Sequence, residues 1–79
     1  MKYLVITEKN DVVSGFQAME VESVLVHSDK EALDAVCDAI KSRTVGTLVL
    51  SKHVKEISES VLKKHIESGR LPFIMTLLS

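Results

Sequence analysis

Four short runs that are apolar on consecutive positions constrain this chain more than any other feature. They are Tyr3-Leu4-Val5-Ile6, Ser23-Val24-Leu25-Val26, Thr47-Leu48-Val49-Leu50 and Phe73-Ile74-Met75-Thr76-Leu77-Leu78. A strand with one wet face alternates apolar and polar residues, whereas a strand apolar throughout needs cover on both faces. Such runs suit a parallel sheet flanked by helices. The intervals between them carry helix patterns. Val12, Phe16 and Met19 recur at i, i+4 and i+7, with Gly15 weakening that helix by ~1 kcal/mol relative to Ala. Leu33, Val36, Cys37 and Ile40 form one stripe. Ser28 and Glu31 read as a capping box, the hydroxyl accepting from the Glu31 N–H and the carboxylate from the Ser28 N–H. A third helix carries Val54, Ile57, Val61 and Leu62, with Ser51 as N-cap and Gly69 as its stop before Leu71-Pro72. His65 lengthens that helix's buried stripe, and Glu59 and Lys63 pair at i, i+4 on its solvated side.

The order is β-α-β-α-β-α-β in a single domain, residues 1–79. Right-handed crossovers make this an α/β fold with a four-stranded parallel sheet, order 2-1-3-4, and helices on both faces, a flavodoxin/Rossmann-like layout. The first helix covers one face, and the second and third cover the other. The sequence ends directly after the fourth strand, so the first helix's face has nothing over strands three and four. That face, on the Phe73–Leu78 strand, is expected to be exposed, packed on another chain, or short of a helix of its own. Parity decides whether Phe73, Met75 and Leu77 or Ile74 and Leu78 point that way, and the sequence leaves both open.

Composition bounds the function classes. Of 79 residues, 46% are hydrophobic and 27% charged, enough apolar material for one core and too much for a disordered segment. Ten basic against eleven acidic side chains leave a net charge of −1, which gives no overall field for nucleic acid or anionic lipid. The charges are split: residues 1–39 hold three basic and eight acidic groups, residues 40–79 seven and three. Small domains often show such asymmetry by chance, although it could orient a partner. One cysteine excludes an internal disulfide and fits a reducing compartment. No apolar run is long enough to span a bilayer, and Met1-Lys2-Tyr3 opens a strand and not a signal peptide. Three aromatics and no Trp offer no stacking platform for single-stranded nucleic acid.

No residue set demands a substrate. In an open parallel sheet, ligands bind where the strands end, which here means Thr7-Glu8-Lys9-Asn10-Asp11, His27-Ser28 and Ser51-Lys52-His53. Glu8 and His53 could serve as an acid–base pair with Ser51 as nucleophile. The plainer reading makes Asn10, Asp11, Ser28 and Ser51 helix caps and the rest loop charges. The first β-α turn has no glycine to admit a phosphate, and Glu8 and Asp11 would repel one. A two-component receiver would need an aspartate where Ser51 stands. His27, His53 and His65 have no metal-ligand spacing. Cys37, on the second helix's stripe, reads as a small core residue, and Met19 and Met75 read as packing. No cofactor is called for, and a binding or assembly role is favoured.

Several stretches resemble the F subunit of the V-type (A-type) rotary ATP synthases of bacteria and archaea. Lys2-Tyr3-Leu4-Val5-Ile6 leads into Asp11-Val12-Val13-Ser14-Gly15-Phe16, similar to that family's Asp-Thr-Val-Thr-Gly-Phe. Asp11, Val13, Gly15 and Phe16 match, Ser14 replaces Thr, Val12 stands where Thr is usual, and Glu20 stands where Gly is usual. Val45-Gly46-Thr47-Leu48-Val49-Leu50-Ser51 looks like the family's Ile-Gly-x followed by three hydrophobic residues and Thr. Leu71-Pro72-Phe73 looks like its Pro-initiated fourth strand. Family members usually continue for about twenty residues into a C-terminal helix that completes a sandwich, which this sequence lacks.

The resemblance implies a non-catalytic central-stalk component. It would clamp onto the coiled-coil shaft, the D subunit, and transmit torque between the ATP-hydrolysing head and the ring that moves protons or sodium ions. It would lie in the cytoplasm, peripheral to the cell membrane as part of the complex. Phe73, Ile74, Met75, Leu77 and Leu78 are then the candidate partner-binding residues, and two copies could also pair through the same uncovered face. The alternative is a stand-alone flavodoxin-like ligand-binding or signalling module with its site at Thr7–Asn10 and Ser51–His53.

Overall fold

All four apolar runs become parallel strands in the computed structural model, which describes residues 1–77. The chain runs through β1 (Lys2–Thr7), α1 (Asn10–Ala18), β2 (Glu22–Leu25), α2 (Asp29–Lys41), β3 (Val45–Leu50), α3 (Lys52–Ile57), α4 (Glu59–Ser68) and β4 (Phe73–Thr76). The sheet order is β2-β1-β3-β4, and every pairing is parallel. The expected α/β architecture is therefore the one observed. The third helix differs from expectation because it is broken at Ser58 into α3 and α4. Ser58 has φ −96° and ψ 11°, outside helical geometry, yet its N–H still donates to the Val54 carbonyl and its carbonyl still accepts from Leu62. Its hydroxyl is buried without a partner among the described residues.

The main core lies between the sheet and α2, α3 and α4. Leu4 and Ile6 of β1, Val45, Leu48 and Leu50 of β3, and Val26 meet Ala32, Val36 and Ala39 of α2, Val54 of α3 and Leu62 of α4. The buried stripe of α2 is thus Ala32, Val36 and Ala39, turned one residue from the expected stripe, while Leu33 and Cys37 are only half-buried. Alanine carries little weight in a hydrophobic pattern, but its small side chain lets the helix settle close to the sheet. Ser28 caps α2 by accepting from the Glu31 N–H at 3.1 Å, as its sequence suggests. In the first interval, α1 packs on β1 and β2 from the opposite face. Val13 is its buried residue, Val12 and Phe16 are half-buried, and Met19, expected to pack, is 64% exposed.

β3 carries one irregularity. Lys2 pairs with Val45 and Tyr3 with Thr47, so Gly46 is an extra residue on β3. A Cβ there would lie 2.7 Å from Met1 Cβ, a close approach that glycine permits. The extra residue puts Val45 and Leu48 on the same face.

Two of the helices, α1 and α4, end on a left-handed residue. Gly69 closes α4 at φ 69°, as its sequence position suggests. α1 ends in a Schellman motif that nothing in the sequence had signalled. The Val21 N–H donates to the Phe16 carbonyl at 2.9 Å, and the Glu20 N–H to Gln17 at 3.0 Å. Glu20 supplies the left-handed residue at φ 61°, where a side chain costs on the order of 1 kcal/mol. Replacing it by Gly, the residue usual in the resembling family, is expected to raise stability by about 0.5–1 kcal/mol in chemical denaturation. An unchanged or lowered midpoint would contradict the left-handed conformation at Glu20.

Candidate functional site

Strand parity is settled by the core. Ile74 is half-buried and packs against the cluster under α2, α3 and α4. Its neighbours Phe73 and Met75 therefore point to the opposite face, where they are 66% and 52% exposed. Met75, expected as packing, is not buried. Register extends the surface across the sheet: Tyr3, Thr47 and Phe73 form one row, and Val5, Val49 and Met75 the next. Paired residues in a parallel sheet project to the same side, so these six share a face. α1 covers that face only over β1 and β2. Val5 and Val49 are buried at the centre of the second row, while Tyr3 in the first is 56% exposed. Of the candidate partner-binding residues, Phe73 and Met75 thus lie together on the bare face. Leu77 continues their parity, is half-buried, and its N–H donates to the Leu50 carbonyl at 2.8 Å. Ile74 belongs to the other face and is not part of this surface. Leu78 lies outside the described residues. Tyr3 was hidden from sequence reasoning because it begins a run that reads as wholly buried; only the pairing of β1 with β3 places it beside Phe73.

No strand residue in those two rows is charged. The surface can desolvate at little polar cost, and burying a side chain such as Phe73 or Met75 contributes roughly 1.5–3 kcal/mol. Its only side-chain polar groups are the hydroxyls of Tyr3 and Thr47.

The polar groups gather instead where the strands end. Ser51 Oγ donates to Glu8 Oε1 at 2.5 Å and accepts from the Val54 N–H at 3.3 Å, so it caps α3 and anchors the loop after β1. Thr7 Oγ1 accepts from the Lys9 N–H at 3.1 Å. His53 Nε2 faces Asp29 at 3.4 Å, and His27 Nδ1 faces Glu31 at 3.6 Å. A shallow cavity of about 320 Å³ lies between Glu8, His27, Asp29 and His53. Of Glu8, His53 and Ser51, considered together from the sequence, Ser51 bonds Glu8 while His53 faces Asp29; Ser51 is buried and engaged by Glu8 and Val54. The bond from Ser51, opposed by burial and aided by the loop's own N–H and by His53, holds the Glu8 carboxyl below its ordinary value. Its folded-state value is lower than its unfolded one, so its stabilisation is present above the unfolded value and fades as pH falls through the folded one. Ser51→Ala is expected to raise the Glu8 value, remove about 1 kcal/mol through the lost cap, and flatten the loss of stability between neutral and acid pH. NMR titration of Glu8 in both proteins, with denaturation at neutral and acid pH, measures this; equal Glu8 titrations would refute it.

Comparison with known proteins agrees with this geometry. Residues 4–78 match the family model of the ATP synthase (F/14-kDa) subunit. No curated protein sequence matches the chain. Among solved structures, the F subunit of the V-type ATP synthase from Archaeoglobus fulgidus superposes with a TM-score of 0.83 at 23% identity, covering 98% of this chain and 96% of that chain. The two are nearly coextensive and share the fold. With 75 of its 79 positions inside the family model, the chain belongs to the family of the ATP synthase (F/14-kDa) subunit.

Proposed function

We propose that this chain is a rotor component in the central stalk of a V/A-type ATP synthase or ATPase. In this reading it seats on the coiled-coil shaft, the D subunit, and turns with it. It couples ATP synthesis or hydrolysis in the head to proton or sodium ion movement by mechanical transmission, with no chemistry of its own. It works in the cytoplasm, held at the cell membrane only through the complex; no helix among the described residues is long and apolar enough to cross a bilayer. The observation that carries the reading is the bare apolar face of β3 and β4, with Phe73 and Met75 exposed beside Tyr3. Torque needs a contact that resists sliding, and a flat apolar face on a stiff parallel sheet supplies one.

The rival reading, a ligand-binding flavodoxin-like module, would use the strand-end loops. There Ser51 and Glu8 already bond each other, and the Glu8 carboxylate in the cavity lining would repel an anionic phosphate. A thermal-shift screen with nucleotides and flavins separates the two. A stalk component shows no ligand-specific rise, whereas a rise of several degrees with one ligand supports the module.

The docking face is tested by co-purification with the D subunit. Phe73→Asp and Met75→Asp are expected to abolish recovery of the shaft, and Ile66→Asp, on the exposed side of α4, to leave it unchanged. Retention of the shaft by both face variants, with circular dichroism like that of the parent, would end the proposal.

A further inference from the structure

A second surface lies on the helical face, away from the sheet surface just described. α2 packs against α3, but its C-terminal half stands apart from α4, and an open groove of about 710 Å³ runs between them. Its apolar wall is Ile40, Val61 and Leu71, and its cationic rim is Lys41, Lys64 and Arg70. Ile40 and Val61 are half-buried, and Leu71 is 40% exposed. The segment carrying Arg70 and Leu71 is pinned by a 2.8 Å hydrogen bond between buried His65 Nε2 and the Pro72 carbonyl. That bond ties one side of the groove to α4.

Its charge is one-sided. No carboxylate lines it; Asp38, one turn back on α2, lines the neighbouring groove over β2. None of the three rim cations forms an ion pair among the described residues, whereas Lys2, in the neighbouring groove on the same face, is paired with Glu22 at 3.1 Å. Lys41 complements the end of the α2 dipole, an ordinary local role. Lys64 stands mid-helix on α4 and Arg70 follows the Gly69 cap, so that role does not account for them. Three unpaired cations around an apolar wall between two helices match a helix-in-groove mode of recognition.

We infer that the α2–α4 groove docks an acidic amphipathic helical segment of a partner protein, its apolar side on Ile40, Val61 and Leu71 and its carboxylates on Lys41, Lys64 and Arg70. The apolar wall favours such a segment over a nucleic acid, which would meet only the cations. This surface is separate from the bare sheet face, and its occupant does not depend on what seats there.

The probe is a synthetic peptide alternating leucine pairs with glutamate pairs at helical spacing, titrated into the isotope-labelled chain and followed by NMR. Shift changes are expected at Ile40, Val61 and Leu71 and at the backbone of Lys41, Lys64 and Arg70. The Lys41→Glu/Lys64→Glu variant should bind about tenfold more weakly, and raised salt should weaken the parent's binding. Far-ultraviolet circular dichroism checks that the variant stays folded, and its unaltered recovery of the D subunit would separate this groove from the sheet face. No shifts, shifts confined to Phe73 and Met75, equal binding by leucine-free polyglutamate, or stronger binding by an oligonucleotide would each overturn the inference.

Discussion

Parallel pairing of β1 with β3 sets the layout of everything else. These two strands are separated in sequence by a strand and two helices, yet they form the centre of the sheet, and each is flanked on both sides. A parallel connection must leave the sheet, cross a face and return right-handed. Moving outward from β1 to β2 puts α1 on one face. Reversing from β2 past β1 to β3, and on to β4, puts α2, α3 and α4 on the other. Among the described residues, three of the four helices therefore share a face, and the single helix opposite packs on the β1–β2 half. The bare half-face follows from the winding direction and the number of crossovers, and is not a local defect of β4.

The same asymmetry explains where apolar surface is buried and where it remains. On the helical face Ile6, Leu48 and Leu50 are fully enclosed. On the opposite face burial falls away across a single row, from Val5 through Val49 to half-exposed Met75. The outermost strand holds uncharged Phe-Ile-Met-Thr, whereas the other edge strand, β2, begins with Glu22 bound to Lys2. A charged edge discourages further association; an uncharged one beside an open apolar face does not. The molecule is thus guarded at one margin and open at the other, which suits a unit that is completed by assembly.

Much of this layout is legible in the sequence. Consecutive apolar positions identify doubly covered strands, and their alternation with helix patterns leads to the order 2-1-3-4. Ser28, Ser51 and Gly69 announce the helix ends they occupy. What stays hidden depends on side-chain size or on pairing. Ala32 and Ala39 face the core because they are small, and a pattern built on large residues chooses Leu33 and Cys37 instead. Met19 continues the period of α1, but the helix stops before it can reach the sheet. The parity of β4 cannot be read from six residues of one apolar run, because parity needs a neighbour; once Ile74 lies under the helices, Phe73 and Met75 must lie opposite. The α2–α4 groove is equally invisible, since its three cations come from two helices and a loop.

The strand-end loops show how polar residues at the usual ligand position of an α/β fold can serve to hold the fold together. Polar residues collect there in any doubly wound sheet because the chain must turn and cap a helix. Ser51 illustrates the distinction. A nucleophilic serine needs an open approach to its hydroxyl as well as a base beside it. Here the hydroxyl is buried, donates to Glu8 and accepts from the first turn of α3. The same bond ties the β1 loop to α3. It links the ends of β1 and β3, the two strands whose outward side chains run into the bare face. The polar ties at the strand ends and the apolar surface at the strand centres thus lie on the same two strands.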